Sequence, residues 1–433
     1  MLIDFTFKNC LSYRDETSFS MLTGKFLKKH ASNKFSIDKT SYTENLNLLK
    51  NIIIFGPNGS GKSNLIIVLR QMKNRIFSKP KFSTTELTQF PFALDENSNT
   101  SPTHFSIEII SNNRQYLYEF EYNKEEITFE RLKYYYRGHY HTYFERNHQN
   151  FSLSEELNIQ SDSIRKNVLV LQVAQDTNDT HAKNIYDWFA NKLVIIDDIL
   201  DSSDIQHMQK VLNNQDTKEE LIKFLNLCDV KVKDLDTTIH KEPVPKFIQQ
   251  YIEFLNNNDS LEGEIEETAE FHQLNLVYDK FNQDNKPVGQ QRISFANESN
   301  GTKKLITIAF YLLNNRNKDC VFLMDEFDDS LHLNLAQILV QVFNNSINQQ
   351  FILTSHQLYL LDCNLRKDQI YLTDKKYNGA SELFSVFDFN DDDLSKRTDT
   401  TYFKRYLKGI YGAVPNVDFS DFKNLFNTKN QGD

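Results

Sequence analysis

The alternation of apolar and polar residues in the first 180 residues predicts strands, and one of these strands leads into a helix. The opening segment LIDFTFKNCLSYRDETSFSML alternates with short breaks and predicts two strands. The apolar run NIIIF predicts a buried strand; a glycine-rich loop and an apolar helix follow it. Residues 103–145 alternate again, with SNN and YNKEE as turn signals, and predict an antiparallel meander.

The pattern changes twice in the rest of the chain. From about 180 to 275, apolar residues recur at helical spacing, as in DIQHMQKVLNN and KEELIKFLNLC. The final third alternates helix and strand patterns, which is typical of a parallel sheet. We therefore predict an α/β fold with a mixed sheet, an antiparallel β subdomain and a helical insertion. The predicted divisions are an N-terminal half (1–180), the insertion (181–275), a C-terminal half (276–418) and a flexible tail (419–433).

Composition narrows the function classes. The 433 residues carry a net charge of −10, so an overall basic footprint for nucleic acid is absent, although a local basic patch stays open. No stretch approaches 18 uninterrupted apolar residues, and the first residues do not resemble a signal peptide. The four cysteines are scattered and none lies at metal-ligand spacing. We expect a cytoplasmic protein with no membrane span.

A phosphate-binding loop follows the NIIIF strand. The segment GPNGSGKS matches GxxxxGK[ST], and the strand before it and the helix after it provide the required context. Its glycines let successive N–H groups point at phosphate oxygens, and the helix start adds partial positive charge. The lysine is predicted to reach the β- and γ-phosphates of ATP, and the serine to bind Mg²⁺. The predicted nucleotide-binding residues are Gly56, Pro57, Asn58, Gly59, Ser60, Gly61, Lys62 and Ser63.

Two later strands end in residues suited to phosphate chemistry. The apolar run CVFLM ends in Asp325 and Glu326. An aspartate there can hold Mg²⁺, and the adjacent glutamate can orient or deprotonate an attacking water. The apolar run FIL ends in Thr354, Ser355 and His356. The histidine can contact the γ-phosphate, although a histidine taken alone is more often a surface residue.

The order of these motifs resembles the ABC-type ATPases of chromosome maintenance and DNA repair. That order is the phosphate loop, Ser-x-Gly before a helix, strand-DE and strand-TSH. More narrowly, the chain resembles the stand-alone AAA/ABC-like ATPases of bacterial abortive-infection and other anti-phage systems. The narrower resemblance rests on the phosphate loop, NESNGTKKL, MDEFDDSLH, ILTSHQ, RKDQIYLTDKK and YLKGIYGAVPNVD. It implies an ABC-type P-loop ATPase fold, and a homodimer or higher homo-oligomer that controls a separately encoded nuclease or toxin.

The resemblance also gives a role to ESNGT, which by itself reads as a helix cap. It implies that Ser299 and Gly301 of one subunit contact the γ-phosphate held by another subunit. The segment departs from the fuller Leu-Ser-Gly-Gly-Gln signature, because Asn300 and Thr302 replace two of its positions.

A glutamine that completes the Mg²⁺ and water site is expected after the meander. Gln175 is favoured and Gln172 is second, and both are placed at the end of an apolar segment. Asp328 and Asp329 are candidates for communication across a dimer, and a solvated helix start is the alternative. Further candidates from the first strand pair are Asn9, Ser12 and Arg14.

Three rival functions remain at this point. A DNA-repair or chromosome-maintenance ATPase that acts directly on DNA would need a long coiled coil, but the insertion lacks sustained heptads. A fused nuclease would need a second acidic site after the TSH strand. A non-hydrolysing, nucleotide-gated scaffold is disfavoured by intact Lys62, Asp325 and Glu326.

Overall fold

The computed structural model describes residues 1–25, 27, 29–197, 200–244, 268–389 and 401–414. Two compact units are present, one formed by Met1–Ile195 with Lys318–Asp433 and the other by Ile196–Asn317. The predicted tail at 419–433 lies outside the described residues.

The strands are named in chain order. They are β1 Leu2–Lys8, β2 Thr17–Ser20, β3 Lys34–Ile37, β4 Leu46–Leu49, β5 Asn51–Phe55, β6 Thr103–Ser111, β7 Arg114–Tyr122, β8 Ile127–Tyr136, β9 His139–Asn147, β10 Asn150–Leu153, β11 Leu193–Ile196, β12 Asp234–Pro243, β13 Thr268–Phe281, β14 Pro287–Ser294, β15 Val321–Met324, β16 Gln350–Thr354, β17 Ile370–Lys375 and β18 Ser381–Ser385. The α-helices are α1 Lys62–Phe77, α2 Val170–Asp176, α3 Thr180–Asp187, α4 Ser202–Leu212, α5 Gln215–Leu227, α6 Asn300–Asn314, α7 Leu333–Asn344 and α8 Tyr402–Leu407.

An antiparallel sheet forms one layer of the first unit. Its seven strands run in the order β10-β9-β8-β7-β6-β1-β2. Alternate residues of β6 are buried, since one face of the sheet packs on the core. Aromatic rings fill that core, including Phe5, Phe105 and Phe120, whose neighbouring ring centroids lie 5.5 to 6.4 Å apart. The meander predicted over residues 103–145 is confirmed by the consecutive pairing of β6 to β9.

A mixed sheet carries the predicted motifs. Its order is β11-β15-β16-β5-β17-β18, with β15, β16, β5 and β17 parallel and β18 antiparallel to β17. All five residues of β5 are buried, which explains the continuous apolar run. Carboxyl ends of parallel strands meet at one edge of a sheet, so the segments after β5, β15 and β16 lie close together. The predicted α/β fold class is confirmed.

The second unit contains strands as well as helices. It holds α4, α5 and α6 with a three-stranded antiparallel sheet, β12-β13-β14. The helical insertion predicted at 181–275 therefore differs in content and limits, because α3 lies in the first unit and α6 lies in the second. Periodicity shows that a segment is helical or extended, but it does not show which segments pack together.

Two global features concern the membrane and the cysteines. In the described part of the chain, no helix combines the length and the apolar character that a membrane crossing requires. The four cysteines are free thiols, and burial raises the pKa of the Cys10 thiol to about 12.

Candidate functional site

The phosphate loop connects β5 to α1. Gly59 and Gly61 have φ angles of 74° and 114°, a region in which glycine meets no Cβ penalty. Gly61 is the N-cap of α1, so the first N–H groups of the helix face the loop. Lys62 folds back over the loop, where its Nζ donates to the carbonyls of Gly56 at 2.8 Å and Pro57 at 3.0 Å. The loop therefore presents backbone N–H groups and one cation around a common centre.

Residues of β17 and β18 pack against the phosphate loop. A Cβ added at Gly56 would lie 2.4 Å from the backbone oxygen of Thr373. The Thr373 hydroxyl lies 2.6 Å from that of Ser60. A Cβ at Gly61 would similarly lie 2.4 Å from the hydroxyl of Ser381. The glycines at these two positions are therefore required by close packing as well as by backbone angle.

The end of β15 is tied to the end of β16 through one hydroxyl. Thr354 Oγ1 accepts a hydrogen bond of 2.7 Å from the backbone N–H of Glu326 and donates to the Asp325 carboxylate. Thr354 is fully buried. Glu326 has a φ of 43°, an uncommon conformation for a residue with a Cβ. Thr354 belongs to the TSH motif, but the sequence assigned no role to its hydroxyl, because nothing local shows that it meets Asp325 and Glu326.

Glu326 and His356 form a contact pair at the sheet edge. The Glu326 Oε1 and His356 Nε2 atoms are 2.9 Å apart, and the two side chains are 41% and 38% exposed. A carboxylate held by an imidazole and open to solvent is suited to accept a proton from water. Of the predicted catalytic residues, the structure brings these two together.

A pocket of about 550 Å³ joins the loop to this pair. Its lining residues are Asn58, Gly59, Gly61, Lys62, Ser63, Asn64, Glu326 and His356. Burial lowers the pKa of Lys62, while the charges of Glu326 and Asp325 oppose that shift. The two carboxylates therefore lie within electrostatic reach of the lysine.

The residues present fit ATP and Mg²⁺. Gly59 faces open space, since a Cβ added there would meet no heavy atom within 4 Å, and the loop supplies N–H donors at a helix start, which suits phosphate. Ser63 and Asp325 offer oxygen ligands, which Mg²⁺ prefers. Among the described residues no group of three or more His, Cys, Asp or Glu side chains forms a metal cage.

Gln172 and Gln175 do not lie at this site. Both are in helix α2 and not at a strand end. Gln172 is buried, and its Nε2 donates to the carbonyls of Arg75 and Ile76 at 3.2 and 3.0 Å. Those carbonyls are at the C-terminal end of α1, about 18 Å along the helix axis from Ser63. Gln175 is within one turn of Gln172, so the expectation that either glutamine completes the Mg²⁺ site is wrong for this conformation.

Ser299 and Gly301 lie in the second unit. Ser299 is exposed and is the N-cap of α6, where its Oγ accepts from the Thr302 N–H at 3.2 Å. The interpretation of ESNGT as a helix cap is therefore confirmed. A contact across a dimer is compatible with this exposed cap, and it stays a prediction.

The remaining candidates divide into buried and exposed residues. Asp328 is 2% exposed and accepts from Ser355 Oγ at 2.7 Å, and burial raises its pKa. Asp329 is exposed. Asn9 is 3% exposed and its side chain bonds backbone groups of residues 92–102. Asn9 therefore has a structural role.

Ser12 is the member of the first strand pair that reaches the loop. Its Oγ accepts from Asn64 Nδ2 and from Ser381 Oγ, each at 2.8 Å. Arg14 instead pairs with Asp15 at 3.1 Å and lies 3.6 Å from Asp95.

The chain is similar to one protein family and to several solved structures. A family model described as "AAA domain, putative AbiEii toxin, Type IV TA system" matches residues 52–362. The curated proteins give no match. Solved structures with 14% identity include the SMC head domain from Thermotoga maritima (TM-score 0.39, covering 89% of this chain and 98% of that one). They also include a Smc head domain with an extended coiled coil, bound to the C-terminal domain of ScpA, derived from Pyrococcus furiosus (TM-score 0.40, covering 89% and 96%).

Proposed function

We propose that this chain, which belongs to that AAA-domain family of the abortive-infection type, hydrolyses ATP with Mg²⁺ in the pocket between the phosphate loop and the Glu326–His356 pair. An AAA/ABC-like ATPase domain is what the family match establishes. Hydrolysis, the metal and the biological role are the proposed parts.

The chain's own residues supply positioning and charge. Lys62 and the N–H groups of the loop bind the phosphates, and Glu326, oriented by His356, accepts the proton of the attacking water. Ser63 and Asp325 would hold Mg²⁺, which would neutralise phosphate charge when bound. Thr354 keeps Asp325 and Glu326 in a fixed relation through its single hydroxyl.

The proposed biological role rests on the resemblance to anti-phage ATPases, and the family description supports part of it. In this proposal ATP closes a homodimer or higher homo-oligomer in which Ser299 and Gly301 of one subunit meet the γ-phosphate of another. Closure and hydrolysis then regulate a separately encoded effector, a nuclease or toxin, during phage infection in the cytoplasm. The family description names a Type IV TA system, and a system of more than one component supports a separately encoded partner.

The observation that carries the proposal is the Glu326 Oε1–His356 Nε2 contact of 2.9 Å in the pocket that Lys62 lines. Glu326→Gln should keep ATP binding and lose turnover, because it removes the base and preserves the volume. Lys62→Ala should weaken binding itself. ATP affinity and phosphate release measured on the full chain separate these effects, and unchanged turnover of Glu326→Gln would exclude this residue as the base.

A further inference from the structure

Three turns converge at one end of the antiparallel sheet. They are the β6–β7 turn, the β8–β9 turn and the loop that carries Tyr42. The Arg137 N–H donates to the carbonyl of Ser41 at 2.7 Å, and the Gln115 N–H donates to the carbonyl of Tyr42 at 3.0 Å. Two hairpin ends and a loop therefore form one surface. We call Tyr42, Arg114, Tyr136, Arg137 and His139 the turn surface.

Cations and aromatic rings form a row on this surface. The Arg137 guanidinium lies 5.1 Å from the ring of Tyr136, whose centroid is 5.4 Å from that of Tyr42. The Arg114 guanidinium lies 4.5 Å from the Tyr42 ring on the same row. Tyr42 is 39% exposed, and Arg137 and His139 are also exposed. Neighbouring groups are thus about 5 Å apart, with a cation at each end.

Arg114 and Arg137 differ in their surroundings, because Arg114 is half-buried and lies 3.2 Å from His181 Nε2, whereas Arg137 is exposed. Within the described ranges, no carboxylate forms an ion pair with Arg114 or Arg137. Farther along the same hairpin, Arg131 pairs with Glu119 at 2.6 Å and lies 3.3 Å from Glu145. In a chain with a net charge of −10, the exposed Arg137 beside the half-buried Tyr136 ring and the exposed Tyr42 ring marks a surface suited to an anionic ligand.

The backbone of Arg137 supports a role for its charge. Arg137 and Gly138 form the two-residue loop between the paired residues Tyr136 and His139, and their φ angles are 48° and 99°. Such turns strongly favour asparagine, aspartate or glycine at the first position. The adjacent β6–β7 turn follows that preference, with asparagines at 112 and 113. Arginine is therefore an uncommon residue at this position of the turn, and its side chain is exposed.

We propose that the turn surface binds single-stranded nucleic acid. Guanidinium groups bind phosphates, and tyrosine rings stack on unpaired bases whatever their sequence. The bases of a duplex are stacked on one another, so the rings would have no base face to meet. An acidic protein surface would use the cations but would not need two rings about 5 Å apart. The proposal goes beyond the ATPase function and does not depend on it.

The test measures binding by the full chain without ATP. Fluorescence anisotropy would follow a labelled 20-nucleotide oligothymidine and a 20-nucleotide oligouridine over a range of KCl concentrations. Arg137→Asn removes the charge and suits the turn, so folding should be kept. It should weaken binding and reduce the slope of log affinity against log salt by about 0.7. Tyr42→Ala should weaken binding about 5- to 150-fold.

Arg131→Gln is the control, because it removes one charge from the same hairpin at a position already neutralised by Glu119. Retained affinity in this variant, with thermal unfolding of all three variants near that of the parent, would support the proposal. A preference for DNA or for RNA would then identify the strand. Equal losses of affinity in Arg131→Gln and Arg137→Asn would overturn the proposal, as would unchanged affinity in Tyr42→Ala. Equally tight binding of a 20-base-pair duplex, or equal competition by polyglutamate, would also overturn it.

Discussion

Thr354→Val tests whether one buried hydroxyl organises the catalytic carboxylates. Valine has nearly the same shape as threonine, so packing at the end of β16 should be preserved. The substitution removes the acceptor for the Glu326 N–H at 2.7 Å and the donor to Asp325. Glu326 has a φ of 43°, so its conformation depends on contacts of this kind.

The expected magnitude follows from these two bonds. A hydrogen bond to a charged group contributes about 1.5–3 kcal/mol, and an unsatisfied buried donor costs about 1–3 kcal/mol. If the transition state for hydrolysis loses about 1.5–3 kcal/mol of this stabilisation, kcat falls about 10- to 150-fold. ATP affinity should change little, because Lys62 and the loop glycines are untouched. The Mg²⁺ concentration needed for half-maximal turnover should rise, because Asp325 loses its fixed orientation.

Steady-state phosphate release at several ATP and Mg²⁺ concentrations measures these changes. Thr354→Ser keeps the hydroxyl and should recover most of kcat. Thr103→Val is the matched control, since Thr103 is a fully buried threonine whose hydroxyl donates to the Asn9 carbonyl at 2.8 Å. The reasoning is refuted if Thr354→Val keeps kcat within twofold of the parent, or if Thr354→Ser is as impaired as Thr354→Val.

Three further predictions concern the dimer, pH and the loop. Ser299→Arg should spare ATP binding, block ATP-driven closure and reduce hydrolysis; partial activity on mixing it with Lys62→Ala supports a contact in trans, and normal turnover with assembly contradicts it. Burial lowers the pKa of His181 from 6.5 to about 4, so stability present above pH 6.5 is lost as the pH falls to about 4. The free energy of unfolding, measured by urea denaturation, should fall by about 3 kcal/mol over this range. His181→Gln should remove that part of the pH dependence. Gly56→Ala should abolish nucleotide binding measured by calorimetry, because its Cβ would lie 2.4 Å from the Thr373 carbonyl oxygen; binding within threefold of the parent would show that the loop can adjust.

Local spacing determined the parts of the site that lie within single segments. The Gly56–Ser63 loop, the acidic residues after VFLM and the histidine after FILTS follow from chemistry between residues a few positions apart. Backbone geometry limits where such neighbours can point, so the motif, the strand before it and the helix after it could be predicted together. The antiparallel meander was predicted for the same reason, because its period of two and its turn residues are local signals.

Only the tertiary structure decided which distant segments meet. It placed β16 between β5 and β15, which brings the Thr354 hydroxyl to Asp325 and Glu326. It placed Gln172 beside the C-terminal end of α1, away from the phosphate loop, although the sequence pattern was compatible with a strand end at the predicted Mg²⁺ site. It also brought the Tyr42 loop beside two hairpin turns that are about 70 and 95 residues later in the chain. Hydrophobic periodicity gives the buried face of each element but carries no record of its partner, and partners are chosen by the packing of the whole core.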